Sequence, residues 1–312
     1  MSSIGDGARV LSIQSHVVSG YVGNKSAVFP LQLLGFEVDV LNSVQFSNHT
    51  GYTNKWKGTV VSGEQLLDLI SGLNENQLLN ETTHLLTGYI GSESFLKSVV
   101  QVDELLLALN PNRTYVCDPV LGDHGALYVP KELIEIYISE LIHRASILTP
   151  NAFELELLSK QNIRSESDVI SACCKLHLSH KIPNIVVTSV DNIDGVHDGT
   201  LRIYSSSLNS ETNEQNLTIF EVAKLPGAFT GSGDVSAALI LAHSYSNSES
   251  LANATEFAMA SVNAILKRTH ESKRGSGLCK NPELKLIQSA HDIIHPPQHT
   301  ITKISSNSYE LK

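Results

Sequence analysis

The sequence predicts an α/β fold in which a mostly parallel central sheet carries helices on both faces. Three observations predict it. Short apolar runs of strand length alternate with helix-length segments along most of the chain. The strand–helix–strand units have the length that parallel crossovers require. At 312 residues, with 41% apolar and 17% charged, the chain has material for a large core.

The elements follow in order. Residues 9–14 (RVLSIQ) read as a strand, and 25–35 as a helix closed by Gly35 and bent at Pro30. Residues 36–42 alternate with period two, 64–73 are helical, and 83–89 form a short buried strand. A long helical stretch at 94–110 leads into a strand at 114–119. Residues 130–145 begin with Pro130 at a helix start, and 146–151 are a strand. Helices at 152–159 and 166–180 precede a strand at 184–189, then a hairpin is expected around Asp198-Gly199. The polar run 205–216 reads as a surface loop. "VSAALILA" (235–242) is an apolar helix, and the tail 295–312 reads as an edge strand or a partly free end. No long linker and no internal repeat interrupts the chain, so 1–312 is expected to form a single domain.

Composition narrows the function. The formal net charge is −10, and no Lys/Arg-rich patch stands out, which argues against nucleic acid as a partner. Cys117, Cys173, Cys174 and Cys279 show neither zinc spacing nor a disulfide framework. No stretch has the length and apolarity of a membrane helix, and "MSSIGDGARVLSIQ" lacks the features of a signal peptide. A reduced, cytoplasmic protein with small-molecule partners is expected. The N-x-S/T triplets at Asn48, Asn80 and Asn253 are then expected to be unused.

In a parallel sheet, ligands bind beyond the carboxyl ends of the strands, and the motifs there carry the chemistry. "GYVGNKS" (20–26) fails the phosphate-loop spacing, so Gly20 and Gly23 are expected to shape a turn. "CDPVLGD" places Asp118 at a strand end and Asp123 beyond it; Mg²⁺ ligation and a polar turn are equally good readings. Asn151 with Glu154 three residues later reads as a capping pair. "SVQFSNHTGY" (43–52) could stack on a ring-shaped ligand and bond it through His49 or Thr50, or could be a hairpin lid; Trp56 reads as packing. In "FTGSGD" (229–234), Gly231, Ser232 and Gly233 lead into Asp234 at a helix start. Capping is the commoner reading of that stretch alone, anion binding the sharper one.

Taken together, "VLSIQSHVVSGYVGNKSAVFPLQLLGFEVDVLNSVQFSNHTGY", "LLTGYIGSESF", "YVCDPVLGD", "ILTPNAFELELLS", "VVTS" and "FTGSGD" resemble pyridoxal kinases of the ribokinase-like superfamily, in order, from residue 9 to about 270. The resemblance implies a ribokinase-like three-layer sandwich that phosphorylates the 5′-hydroxymethyl group of pyridoxal, pyridoxine and pyridoxamine with ATP. It implies Asp234 as catalytic base and Gly231, Ser232 and Gly233 as the anion hole. Ser15, Thr50 and Tyr89 are implied as vitamer contacts. Asp118, Asn151, Glu154, Thr188, Ser189, Ser232 and the segment Leu225, Pro226, Gly227 are implied on the ATP side. Asp118, Asp123 and Glu154 are implied near Mg²⁺, and Asp118, Thr149 and Thr188 at a K⁺ site. A homodimer is implied as well. Two departures stand out: Ser232 replaces a frequent Thr, and the flap segment 124–128 is shorter than in animal relatives. A hydroxymethylpyrimidine kinase and a catalytically silent pyridoxal-phosphate-binding relative are the rival readings.

Overall fold

The structure, a computed structural model, describes residues 4–5, 7–209, 211–247, 250–272 and 281–310; Cys279 lies outside them. In chain order, β1 (Arg9–Val17), α1 (Asn24–Leu33), β2 (Glu37–Phe46) and β3 (Gly58–Val60) are followed by α2 (Gly63–Glu75), β4 (His84–Thr87), α3 (Glu93–Leu109) and β5 (Thr114–Cys117). A small ribbon, β6 (Gly122–Asp123) with β7 (Ala126–Leu127), precedes α4 (Glu132–Ile136). Then come β8 (Ile147–Leu148), α5 (Ala152–Ser159), α6 (Glu166–His180), β9 (Asn184–Val190), β10 (Thr200–Asn209) and β11 (Glu214–Ala223). The chain closes with α7 (Ser232–Ser246), α8 (Leu251–Glu271), α9 (Ala290–Ile294) and β12 (Thr302–Glu310).

Ten strands form one sheet in the order β12-β11-β10-β9-β8-β5-β4-β1-β2-β3. The six strands from β2 to β9 in that row pair in parallel, and the flanking pairs are antiparallel. The winding reverses between β1 and β4, where a doubly wound sheet opens a crevice at its carboxyl ends.

Alternation along the strands builds two cores. Leu11, Ile13, Leu85, Tyr115 and Leu148 face the layer containing α2, α3, α5 and α6. Val10, Leu86, Val116, Ile147 and Val186 face the layer of α1, α7, α8 and α9. Every residue of α7 from Val235 to His243 is buried, since the helix packs against the sheet and also against α1 and α8. That explains its lack of a polar face. Capping boxes at Ser62 with Gln65, Asn151 with Glu154, and Ser165 with Asp168 start α2, α5 and α6 where the sequence places helices.

Three expectations need correction. The helix expected over 130–145 keeps α-geometry only from Glu132 to Ile136, then widens to a π turn over Tyr137–Leu141 and tightens over Ile142–Arg144. The Ser139 hydroxyl donates to the Glu135 carbonyl there, a bond that competes with the regular ladder. The polar run 205–216 is not a surface loop: it forms the facing ends of β10 and β11 around a turn at residues 211–213. Ser205 and Ser206 are buried, and the Ser206 hydroxyl lies 2.7 Å from His177 Nε2 and accepts from Gln215 Nε2 at 2.8 Å. Satisfied hydroxyls allow serines inside a sheet. The hairpin expected around Asp198-Gly199 is shifted: Gly199 (φ +78°) leads into β10, whose antiparallel partners are β9 and β11. The tail does form an edge strand, β12 on β11.

Candidate active site

The start of α7 sits against the turn between β1 and α1. Gly231 adopts φ +87°, and a Cβ there would lie 2.2 Å from the Tyr21 carbonyl oxygen, so only glycine fits. No side chain caps this helix. Asp234 instead reaches across to the other segment, where its Oδ2 accepts from the Gly23 N–H at 2.7 Å. The capping reading of Asp234 therefore gives way. Burial raises its carboxyl pKa to about 6, with the Gly23 bond pulling the other way. The Ser232 hydroxyl is turned back to donate to the Phe229 carbonyl at 2.9 Å. Gly233 is exposed, and its Cβ position is 3.8 Å from Asp118 Oδ2.

Asp118 follows β5 and is buried, and its Oδ2 has no hydrogen-bond partner among the described residues. Burial first, then the negative charges of Glu154 and Asp234, push its carboxyl well above the usual range, while the Thr149 hydroxyl opposes this. Glu154 is buried and likewise raised, chiefly by burial. Both of its oxygens are engaged: Oε1 accepts from Leu121 N at 3.0 Å and Oε2 from Asn151 N at 2.9 Å. Asn151 Nδ2 in turn donates to the Gly122 carbonyl at 2.8 Å. Asn151 and Glu154 thus clamp the loop that carries Asp118. Asp123 stands apart in the β6–β7 ribbon, half exposed, accepting from His124 N at 2.9 Å.

Thr149 is buried after β8, and Thr188 lies in β9 with its N–H donating to the Pro150 carbonyl at 2.9 Å. The Thr149 hydroxyl lies 3.5 Å from the Cys117 carbonyl and the Thr188 hydroxyl 3.4 Å from the Pro150 carbonyl, both long contacts. Ser189 follows in β9, partly exposed. Leu225, Pro226 and Gly227 lie in the connection from β11 to α7, with Gly227 at φ +102°.

On the other side of the crevice, Ser15 lies at a register shift of β1, and a side chain at Gly23 would come within 2.1 Å of its carbonyl oxygen. Ser15 therefore abuts the residue that holds Asp234. Tyr89, following β4, is partly buried and its hydroxyl pKa is raised by that burial. Thr50 is exposed, within a segment whose Gly51 approaches the Thr230 hydroxyl, the Cβ position being 3.5 Å from it. Trp56 packs on Phe46 with ring centroids 5.8 Å apart and remains 41% exposed.

Sequence reasoning missed three participants. Gly23 is read there only as a turn residue. Ser43 donates to the Tyr89 carbonyl at 2.6 Å, tying β2 to the end of β4. Glu283 receives bonds from three residues in two segments near the crevice. A shallow cavity of about 520 Å³ lies elsewhere, lined by Lys131, Glu135 and Lys160, toward the far end of α5 from Asn151. It contains none of the acids or glycines described above.

The donor set suits cations. Burial disfavours the ionised form of three carboxyls, one of them with an unpartnered buried oxygen, and a cation among them would supply the positive charge that stabilises it. Among the described residues no three His, Cys, Asp or Glu side chains form a ready-made metal cage. Mg²⁺ needs none, since it takes one or two carboxylates and completes its shell with water and phosphate.

Residues 81–280 match the family model described as phosphomethylpyrimidine kinase. The chain is 48% identical to the pyridoxal kinase of Arabidopsis thaliana, over 93% of each chain. It is 40% identical to that of Homo sapiens, over 92% of this chain and 96% of the relative. The chain belongs to the pyridoxal kinase family. The structure of pyridoxal kinase from Leishmania donovani in complex with ADP and pyridoxamine superimposes with a TM-score of 0.85 at 32% identity, covering 95% of this chain and 99% of the other. The doubly wound sheet with helices on both faces is thus the fold of the pyridoxal kinase family and its ribokinase-like superfamily.

Proposed function

We propose that the chain is a pyridoxal kinase, a phosphotransferase with an alcohol acceptor that serves vitamin B6 salvage. It transfers the γ-phosphoryl group of ATP to the 5′-hydroxymethyl group of pyridoxal, pyridoxine and pyridoxamine. One observation carries the reading: Asp234, held by the Gly23 N–H, stands at a glycine-opened helix start beside Ser15 at the crevice of the sheet. The alcohol oxygen attacks the γ-phosphorus, its proton passes to Asp234, and the bond from the γ-phosphorus to the bridging oxygen breaks to release ADP. With a pKa of about 6 the carboxyl is ionised at neutral pH and can accept that proton. The N–H groups of Gly231, Ser232 and Gly233 stabilise the charge on the moving phosphoryl.

Ser15, Thr50 and Tyr89 hold the vitamer in this reading. Asn151, Thr188, Ser189, Ser232 and Leu225–Gly227 take the nucleotide. Asp118, with Glu154 and Asp123 acting directly or through water, would hold Mg²⁺, and Asp118, Thr149 and Thr188 would hold K⁺. Such ions supply charge neutralisation on the phosphates. Glu154 contributes chiefly by fixing the loop, since its oxygens already accept backbone bonds. The short β6–β7 ribbon, with Leu127 and Tyr128 exposed, is the flap over the nucleotide.

The single ten-stranded sheet supports one kinase domain over 1–312. Free, buried thiols at Cys117 and Cys173 support a cytoplasmic location, and no helix among the described residues is long and apolar enough to cross a membrane. Exposed Val18, Val40, Trp56 and Val60 support a homodimer; sedimentation as a 33.9 kDa species alone at micromolar concentration would remove it.

The family model's description favours one alternative, a hydroxymethylpyrimidine kinase, while the full-length relatives and the "SVQFSNHTGY" segment favour pyridoxal. Parallel ATP-coupled kinetics on the three vitamers and on hydroxymethylpyrimidine test this. Higher kcat/KM for the vitamers is expected. Preference for the pyrimidine would overturn the substrate, and no turnover at all would leave the silent relative.

A further inference from the structure

Glu283 follows α8 in the chain and lies where three segments meet. Its Oε2 accepts from the Tyr21 N–H at 3.0 Å, and its Oε1 from the Tyr52 hydroxyl at 2.8 Å. His49 Nε2 stands 3.0 Å from the same Oε1. His49 Nδ1 accepts from the Gly51 N–H at 3.1 Å, so in the neutral ring Nε2 carries the proton and donates to Glu283. Three donors therefore converge on one side chain, and only a group that accepts at both ends satisfies them all. Burial pushes the Glu283 carboxyl up, but the bonds from His49, Tyr52 and Tyr21 outweigh it and keep the group below its ordinary range, hence ionised. Gly20 is glycine because a Cβ would lie 2.6 Å from this carboxylate at φ +99°. Two residues earlier, Asn281 Nδ2 donates at 2.9 Å to the hydroxyl of Thr230, the residue before Gly231.

The segments so joined are the two sides of the reaction. The Gly20–Gly23 turn holds Asp234 through Gly23, and the His49–Tyr52 segment flanks Thr50. We propose that Glu283 is a positioning residue for phosphoryl transfer: its carboxylate locks the turn that holds Asp234 against the vitamer-side segment, and so fixes the base relative to the alcohol. The proposal rests on the assignment of Asp234 as that base. Glu283→Gln keeps the shape but leaves one acceptor oxygen, so one arm of the lock must open.

The test measures kcat and KM for pyridoxal and ATP in full-length Glu283→Gln, alone and with Asp234→Asn. A displacement of about 1 Å at the base predicts a fall in kcat/KM for pyridoxal of roughly 10- to 100-fold, with KM for ATP changed by less than about twofold. In the Asp234→Asn background the further fall should be below about threefold, because residues acting as a unit are not additive. An unchanged kcat/KM, or the same loss in both backgrounds, overturns the proposal. If Glu283→Gln does not fold, Tyr52→Phe removes one of the three bonds and should lower kcat/KM for pyridoxal by roughly 3- to 10-fold, in line with the loss of one hydrogen bond of ordinary net strength; wild-type values would overturn it equally. Failure of the wild-type chain to phosphorylate pyridoxal would sink the kinase reading instead, and is read separately.

Discussion

At Asp234, burial raises the carboxyl pKa to about 6 and the Gly23 N–H holds it in place. A base works only when ionised, so activity is present above that pKa and lost as pH falls through it. The kcat/KM for pyridoxal should therefore show an acid limb with its midpoint near pH 6, and a profile flat from about pH 5 to 7.5 would contradict the assignment. The sequence shows Asp234 plainly, because glycines before an apolar helix raise the question of an anion. Its partner is not legible there. Gly23 stands 211 positions away, and nothing local in "GYVG" says which carboxylate its N–H will meet. Glu283 is hidden for the same reason, as its three donors come from residues 21, 49 and 52.

Among the elements, the strand ends matter most. β5, β8 and β9 lie side by side, so Asp118 and Thr149 just past two strand ends come next to Thr188 on the third, the two threonines with long contacts to backbone carbonyls and Asp118 with an oxygen unpartnered among the described residues. If these oxygens enclose a monovalent ion, activity with K⁺ should exceed that with Na⁺, and Asp118→Asn should erase the difference. Equal wild-type rates in both salts would remove the site. The alternation of strands and helices from Arg9 to Val190 is legible because period-two and longer helical patterns differ along each segment. It fails at 205–216, where polarity suggests a loop. Ser206 there is held by His177 and Gln215, which no local pattern reveals. Residues 251–271, where the sequence reading assigns no element, form the 21-residue α8, capped by Ser250.

At the scale of the molecule, the sheet divides two cores, and one of them closes around a histidine. His243 in α7 is buried, its Nε2 has no partner among the described residues, and burial lowers its pKa to about 4. The unfolded chain takes up a proton near pH 6.5 and the folded one resists it. Stability from this site is thus complete above about pH 6.5 and declines as pH falls toward 4. His84, lowered to about 4 by its own burial, acts in the same direction. Thermal unfolding of His243→Leu should show a shallower fall in Tm over that window than wild type, and parallel curves would refute the account. The layer architecture was readable from alternation and crossover length, but the order of ten strands was not, since β12 must cross the molecule to reach β11.

In the proposed mechanism one carboxylate accepts the proton of the vitamer alcohol. Asp234→Asn preserves the shape and removes the base, so its kcat with pyridoxal and ATP is the most direct measurement. A fall of roughly 10²–10⁴-fold is expected, the span usual for general-base loss, with pyridoxal binding much less affected. A variant that keeps near-wild-type kcat would contradict the account.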